Sequence, residues 1–254
     1  MEYHNPTLRV LRILELIDAN SGGLSLSEIA NLLDLPKGTI SPILKTLAAT
    51  NYVVTDGSLY KIGPHTFELG LSYASGQNAL SIIRSEMRSI VSQVDEVCQM
   101  GVLVGQDVHY LLKEEGHAII SIISDVGRHL PAHVTGLGKA LLSGLTDDEV
   151  RQLYAGYHFF PYTPNSIMDL DTLIAALQDI RSAGIAYESE ESTAEICCAA
   201  VPLAENGQVK AAISVTTPKF RYTDEKKQQI TQLLLKKRQL IEESCRIQNC
   251  RLVF

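Results

Sequence analysis

LDLPKGTISPILKTL, residues 33–47, decides how the N-terminal third of the chain is read. Asp34-Leu35-Pro36 turns the chain, and a helix is expected from about Gly38 to Thr50. The stretch has the form of the second half of a helix-turn-helix. It also places Pro42 where a DNA-reading helix would be expected to carry a basic side chain. With Gly38 as cap, Pro42 is the fourth helical residue, so only its one amide bond back to Gly38 is lost and the helix survives.

The neighbouring segments agree with this reading. Asn5-Pro6 marks a helix start, with Asn5 as cap, and Leu8, Leu11, Leu14 and Ile17 follow at helical spacing until Ser21-Gly22-Gly23. Ser25-Leu26-Ser27-Glu28 is a capping box opening a second helix, with Ile29, Leu32 and Leu33 on its apolar face. Residues 52–55 and 59–62, joined through Asp56-Gly57, read as a tight β-hairpin. Three helices and then a hairpin is the order of a winged helix-turn-helix.

Composition bounds the rest. The 254 residues are 45% hydrophobic and 20% charged, an ordinary globular mixture with room for two domains. No run of about 18 apolar residues occurs, and MEYHNPTLRV does not read as a secretory signal. A cytoplasmic protein without membrane association is expected. The five cysteines form no zinc-like pair of CxxC units, so reduced thiols are the simplest reading. The formal charge of −7 argues mildly against a nucleic-acid binder, and residues 1–70 hold five basic residues against seven acids. Placement matters more: Lys37 through Leu47 contains two lysines and no acid.

From His65 to about Val94 the pattern is helical, and Leu80, Ile83, Met87, Ile90 and Val94 step by three or four residues. That suits a linker or dimer-forming helix. Strands are expected at 98–104, 108–113 and 118–124, then helices at 135–142, after the capping box Thr146-Asp147-Asp148-Glu149, and at 169–183 up to Gly184. Strands return at 185–188, 198–203 and 209–216, and Thr223 caps a last helix. The fold class is α+β: an all-α-rich winged helix-turn-helix domain at 1–73, a linker helix at 74–95, and an α+β domain with an antiparallel sheet at 96–254.

Four stretches carry a resemblance to a known family: LSLSEIANLLDLPKGTISPILKTL (24–47), YKIGPHTFELG (60–70), VGRHLPAHVTGLGKALL (126–142) and CAAVPLAENGQVKAAISVT (198–216). Together they resemble the IclR family of bacterial transcriptional regulators over nearly the whole chain, the third stretch being the most specific. The resemblance implies a winged helix-turn-helix joined by a helix to a GAF-like effector-binding domain. It implies a regulator acting as a homodimer or homotetramer on double-stranded operator DNA and answering to a small organic or sugar acid; a repressor is expected ahead of an activator, and the sequence leaves both open. It implies no enzymatic activity and no cofactor.

The family's third helix commonly runs Pro-Lys-Ser-Thr-(Val/Ile)-His-Arg. Here Ser41 and Pro42 hold the last two positions, which removes a cation from the reading face. Lys37, Thr39, Ser41 and Lys45 are the DNA-binding candidates, with Lys61 as a wing contact. The plainer reading makes Lys37 and Lys45 ordinary solvated lysines. For the effector, Thr135, Gly136 and Leu137 open a helix whose amides suit an anion. Glu188, Cys198, Ser214 and Thr216 match positions that line the effector site in family members that bind small oxo-acids. Glu188 departs from the more frequent Asp, and Thr216 from Ser. Thr135 as a mere cap and Cys198 as a buried strand residue are the bland alternatives.

Cys197-Cys198 point to opposite strand faces, and His129 and His133 bracket Leu130-Pro131-Ala132 as loop residues, so no metal site is expected. Two other classes stay in view. An enzyme would use Cys198 as nucleophile and His133 as base, without any nucleophile elbow or phosphate loop. A ligand sensor with a degenerate helix-turn-helix would act through protein partners.

Overall fold

The computed structural model describes residues 3–75, 78–117, 125–252 and 254, and forms two compact units, Met1–Gly76 and Gln77–Phe254. The strand expected at 118–124 lies outside the described residues.

The first unit runs α1 (Asn5–Asp18), β1 (Leu24–Ser25), α2 (Leu26–Leu32), α3 (Lys37–Ala49), β2 (Val53–Asp56), β3 (Leu59–Ile62) and α4 (Pro64–Ser75). Its three short strands pair antiparallel in the order β1-β3-β2. The cap of α1 is His4 rather than Asn5. Pro6 has the φ that a first turn needs, so Asn5 is already helical, and His4 instead bonds the Thr7 hydroxyl at 2.8 Å. The buried stripe of α1 is Ile13 and Ile17, while Leu11 of the expected stripe is 49% exposed. Leu32 is likewise exposed, and Ile29 with Ala30 forms the core face of α2. The Ser25–Glu28 capping box is closed in both directions.

The hairpin is tied to the end of α3. The amide of His65 donates to the Asn51 carbonyl at 3.1 Å, and a Cβ on Gly63 would lie 2.2 Å from that same oxygen. Only glycine allows the approach.

The second unit contains α5 (Asn78–Val94), β4 (Val97–Val104), β5 (Asp107–Glu114), β6 (His129–Pro131), α6 (Gly136–Leu142), α7 (Asp147–Leu153), α8 (Leu170–Ala183), β7 (Ala186–Ser189), β8 (Ile196–Glu205), β9 (Gln208–Pro218) and α9 (Asp224–Ile247). Six strands form an antiparallel sheet in the order β6-β5-β4-β9-β8-β7. Helices cover both faces, so the strands read as nearly continuous apolar runs. Cys98, Met100, Ala199, Val201, Ile213 and Val215 join one core with α5 and α9. Ala186, Ala200 and Ala212 join a second with α6, α7 and α8. Period-two alternation makes this division.

All five residues of the α5 stripe, Leu80, Ile83, Met87, Ile90 and Val94, lie in the first of these cores. The periodicity thus marks a helix packed on the sheet within this unit, which accounts for its apolar face without a second chain. A bulge at Met100/Gly101 leaves Leu111 without a partner on β4, so Tyr110 and Leu112 face opposite cores.

Helix α6 lies close on the 3₁₀ turn before it. A Cβ on Gly138 would stand 2.3 Å from both Cα and O of Ala132. Alanine would gain about 1 kcal/mol in helix propensity, but the neighbour is backbone and overpacking costs more. We expect Gly138→Ala to lower stability by about 2 kcal/mol net and Tm by roughly 4–8 °C, read by thermal unfolding.

Candidate functional site

Two surfaces carry the candidates, one in each unit. In α3, Ile40, Leu44 and Leu47 are buried, while Lys37, Gly38, Pro42 and Lys45 are exposed. Ser41 and Thr39 are half-buried, Ser41 between the two lysines in the four-residue row 37–41–45 and Thr39 toward the side of the helix. The helix is capped at Pro36, whose carbonyl accepts from Thr39 and Ile40, so Pro42 is the sixth helical residue rather than the fourth. The helix nonetheless runs unbroken to Ala49. Its one missing bond falls at exposed Gly38, whose carbonyl water can serve.

Lys37 and Lys45 form no ion pair among the described residues. Lys61 does: its ammonium lies 2.7 Å from Asp56 within the hairpin, and its stem runs over Gly23. That ammonium holds the Asp56 carboxyl below its ordinary range. A phosphate would have to compete with Asp56 for Lys61.

In the second unit, Thr135, Gly136, Leu137, Glu188, Cys198, Ser214 and Thr216 line one small cavity of about 30 Å³. Strand alternation brings four of them to its floor. Ser214 and Thr216 point the same way from β9, and Glu188 pairs with Cys198, which pairs with Thr216, across β7, β8 and β9. The roof is the start of α6. A Cβ on Gly136 would touch Cys198 Sγ at 3.1 Å and Glu188 Cβ at 3.4 Å, so glycine lets the roof sit on the floor. Thr135 caps α6, its Oγ1 accepting from the Gly138 amide at 3.0 Å.

The reading of the residues missed Gln99, Tyr110, Leu130, Ser192, Thr193 and Ile196, which also line the cavity. Gln99 was findable as the one polar residue in the apolar run of β4. Tyr110 depends on the bulge, and Ser192 and Thr193 on how the 189–195 loop folds back; neither has a local signal.

That loop is fixed by many side chains. Glu188 Oε1 accepts from the amides of Glu191 at 2.5 Å and Ser192 at 3.3 Å. Thr163 and Ser166 donate to the Glu191 carbonyl, and Lys139 reaches Glu191 Oε1 at 2.5 Å in a buried ion pair. Glu190 and Glu195 sit at φ 58° and 61°, held by the Glu190 amide donating to the Ile196 carbonyl at 2.8 Å and the Glu195 amide donating to Glu190 Oε2 at 3.1 Å.

Burial pushes the Glu188 carboxyl up to about 7, against the lowering effect of its two amide donors and Lys139. Burial also raises the Cys198 thiol, to about 12, and the Glu188 charge adds to this. A thiol so weakly acidic is a poor nucleophile near neutral pH. His133 is fully buried, with ring centroids 5.0 Å from Phe159 and 5.3 Å from Tyr157, and burial lowers it to about 4. Neither ring nitrogen has a hydrogen-bond partner among the described residues, so it is a neutral packing residue under the roof.

Because folding raises the Glu188 pKa, its protonated form favours the folded state. That contribution is complete below about 4.5 and is lost as pH rises through about 7. Glu188→Gln keeps an oxygen for the two amides and never ionises. Its Tm relative to the unsubstituted chain should therefore climb between pH 5 and pH 8, by up to about 3 kcal/mol equivalent, in paired melting curves.

Comparisons with known proteins give the family and the fold. The profile described as "Bacterial transcriptional regulator IclR C-terminal" matches residues 71–242, and "IclR helix-turn-helix domain" matches 7–57. The chain is 29% identical over 221 residues to the HTH-type transcriptional repressor AllR of Escherichia coli K12, covering 86% of this chain and 82% of that one. A transcriptional regulator from Rhodococcus sp. RHA1 superposes with a TM-score of 0.82 at 27% identity, covering 95% and 98% of the two chains. An IclR homologue from Microbacterium hydrocarbonoxydans, solved with 4-hydroxybenzoate, shares the fold at a TM-score of 0.84, with 22% identity and coverage of 95% and 99%. The chain belongs to the IclR family of bacterial transcriptional regulators, DNA-binding proteins with a ligand-responsive C-terminal domain.

Proposed function

We propose that this chain is a cytoplasmic repressor that binds operator DNA as a homodimer or homotetramer and is controlled by a small organic or sugar acid held under α6. The observation that carries the reading is the cavity: seven residues singled out from the sequence, spread over about eighty positions, line one small space. Kinship with AllR supports repression, and the 4-hydroxybenzoate complex supports an acid as ligand class. A cavity of about 30 Å³ has room for about two waters, so the effector is either very small or opens the site on entry.

Ser214, Thr216 and the first turn of α6 supply hydrogen bonds to such an acid. Glu188 sets its pH response, since a second carboxylate is best tolerated when Glu188 is protonated. On the DNA side, Lys37 and Lys45 hold phosphates and Thr39 and Ser41 reach base edges, with Lys61 joining if a phosphate displaces Asp56.

Strand alternation links the two events. Ser214 and Thr216 face the cavity, while Ile213 and Val215 of the same strand pack in one core with α5, the helix that follows the DNA-binding unit in sequence. A ligand that shifts β9 also shifts the seat of α5, and hence the arrangement of the two reading helices in an oligomer.

Purified protein should shift DNA from its own upstream intergenic region in a discrete band that survives competitor. Lys45→Glu should weaken it by at least about ten-fold, since a phosphate contact becomes a repulsion. A shift equally strong with Lys45→Glu would sink the reading of α3. Ser214→Ala with Thr216→Val should abolish the response to any acid that releases the wild type, while leaving DNA binding without ligand intact. Ligand release that survives this double change places the effector elsewhere.

A further inference from the structure

We infer that Pro42 is a reading residue: its ring contacts the C5 methyl of a thymine in each operator half-site, replacing a hydrogen-bonded contact by an apolar one. The inference rests on the DNA-binding reading of α3 and goes beyond it by naming the base feature recognised.

The first support is that Pro42 has no structural task. It is exposed in the middle of a thirteen-residue helix, where proline forfeits a backbone bond, and it contributes nothing to the buried stripe of Ile40, Leu44 and Leu47. A residue unfavourable to its helix and absent from the core is placed to act on its outer side.

The second is the chemistry around it. Gly38 and Pro42 offer no side-chain polar atom to a base, and the Thr46 hydroxyl donates to the Pro42 carbonyl at 3.0 Å. Lys37 and Lys45 stand eight residues apart, about 12 Å along a helix axis, comparable to the width of the major groove. Both lysines are exposed, so they can reach phosphates flanking the bases that Ser41 and Pro42, lying between them in sequence, would meet.

The third is the groove itself. The thymine methyl is the apolar group that a base pair presents there, whereas cytosine and guanine present groups that need hydrogen bonds. A pyrrolidine ring pressed on those would leave them desolvated and unpaired. The contact therefore selects thymine both by attraction and by rejecting the alternatives.

The test uses the full-length protein and a duplex it shifts, found in its upstream region or by selection from random sequence. Each thymine is replaced in turn by deoxyuridine, which removes only the C5 methyl, and affinity is measured at one fixed salt concentration. One thymine per half-site should show a loss of about four-fold, the equivalent of about 0.8 kcal/mol for one buried methyl-sized group. With Pro42→Ser, which restores the helical amide and should fold at least as well, thymine and deoxyuridine at that position should bind equally. With Pro42→Arg the methyl effect should also vanish, and the salt dependence should steepen.

No methyl-sensitive thymine in a tightly bound duplex overturns the inference while leaving DNA binding intact. So does a methyl effect that persists unchanged in Pro42→Ser. Failure of the wild type to form a discrete complex with any duplex overturns the DNA-binding reading itself, and this inference with it.

Discussion

The arrangement of the second unit depends on one constraint, that neighbouring residues of a strand face opposite sides of the sheet. On β9, Ala211, Ile213 and Val215 enter the core with α5 and α9, while Ala212 joins the opposite core and Ser214 and Thr216 the cavity. β8 repeats the division with Ala199 and Val201 against Cys198 and Ala200, and β4 with Cys98 and Met100 against Gln99. A polar floor is thus made without breaking any strand, because the apolar partners on the reverse side keep each strand buried. The same alternation makes the cavity mechanically consequential. Moving a floor residue along the sheet normal moves its two apolar neighbours by a similar amount, and close-packed cores transmit such displacements.

The roof adds an electrostatic constraint. Glu188, Glu191 and Lys139 are all largely out of solvent, and the lysine is committed to Glu191. If Glu188 is protonated the group is close to neutral; ionised, it leaves an uncompensated negative charge beside the cavity, which burial disfavours. An anionic ligand of the proposed kind would therefore meet a site whose own charge is adjustable by one proton. This differs from a site that attracts acids with a permanent cation. On the proposed reading, binding of an acid and uptake of a proton by Glu188 would reinforce each other, a role that a more accessible, ordinary carboxylate would not fill.

Much of this was legible in the sequence because it is written in short-range signals. Both capping boxes, the glycine after α8 and the hairpin turns are local chemistry, and they fix helices and strands close to their observed limits. The paired polar residues on β9 follow from spacing alone. What escaped depends on contacts between distant segments. Of the Leu8, Leu11, Leu14 and Ile17 pattern on α1, the fold buries Ile17 and packs Leu14 against the core, leaves Leu11 exposed, and adds Ile13, which the spacing did not mark. Ser192 and Thr193 reach the cavity only because Glu188, Lys139, Thr163 and Ser166 fold their loop inward. The α5 stripe was visible, yet its period could not say whether a sheet or another helix would cover it.

The first unit poses the opposite problem, since its local structure is plain and its affinity is not. Among the described residues α3 presents two lysines outside any ion pair, so the proposed symmetric pair of subunits would bring four. Counterion release for four phosphates gives a salt slope near −3.6, about a hundred-fold change in affinity between 50 and 200 mM salt. That is modest beside proteins making six to ten phosphate contacts, and the overall charge of −7 opposes nonspecific attraction further. The α3 lysines alone would then give a smaller share of the affinity than in such proteins. On the proposed reading, contacts with base edges and the separation of two reading helices would supply the rest. A regulator built this way would, on that reading, be weak on random DNA and depend heavily on geometry, so that a small displacement originating at the sheet would release it.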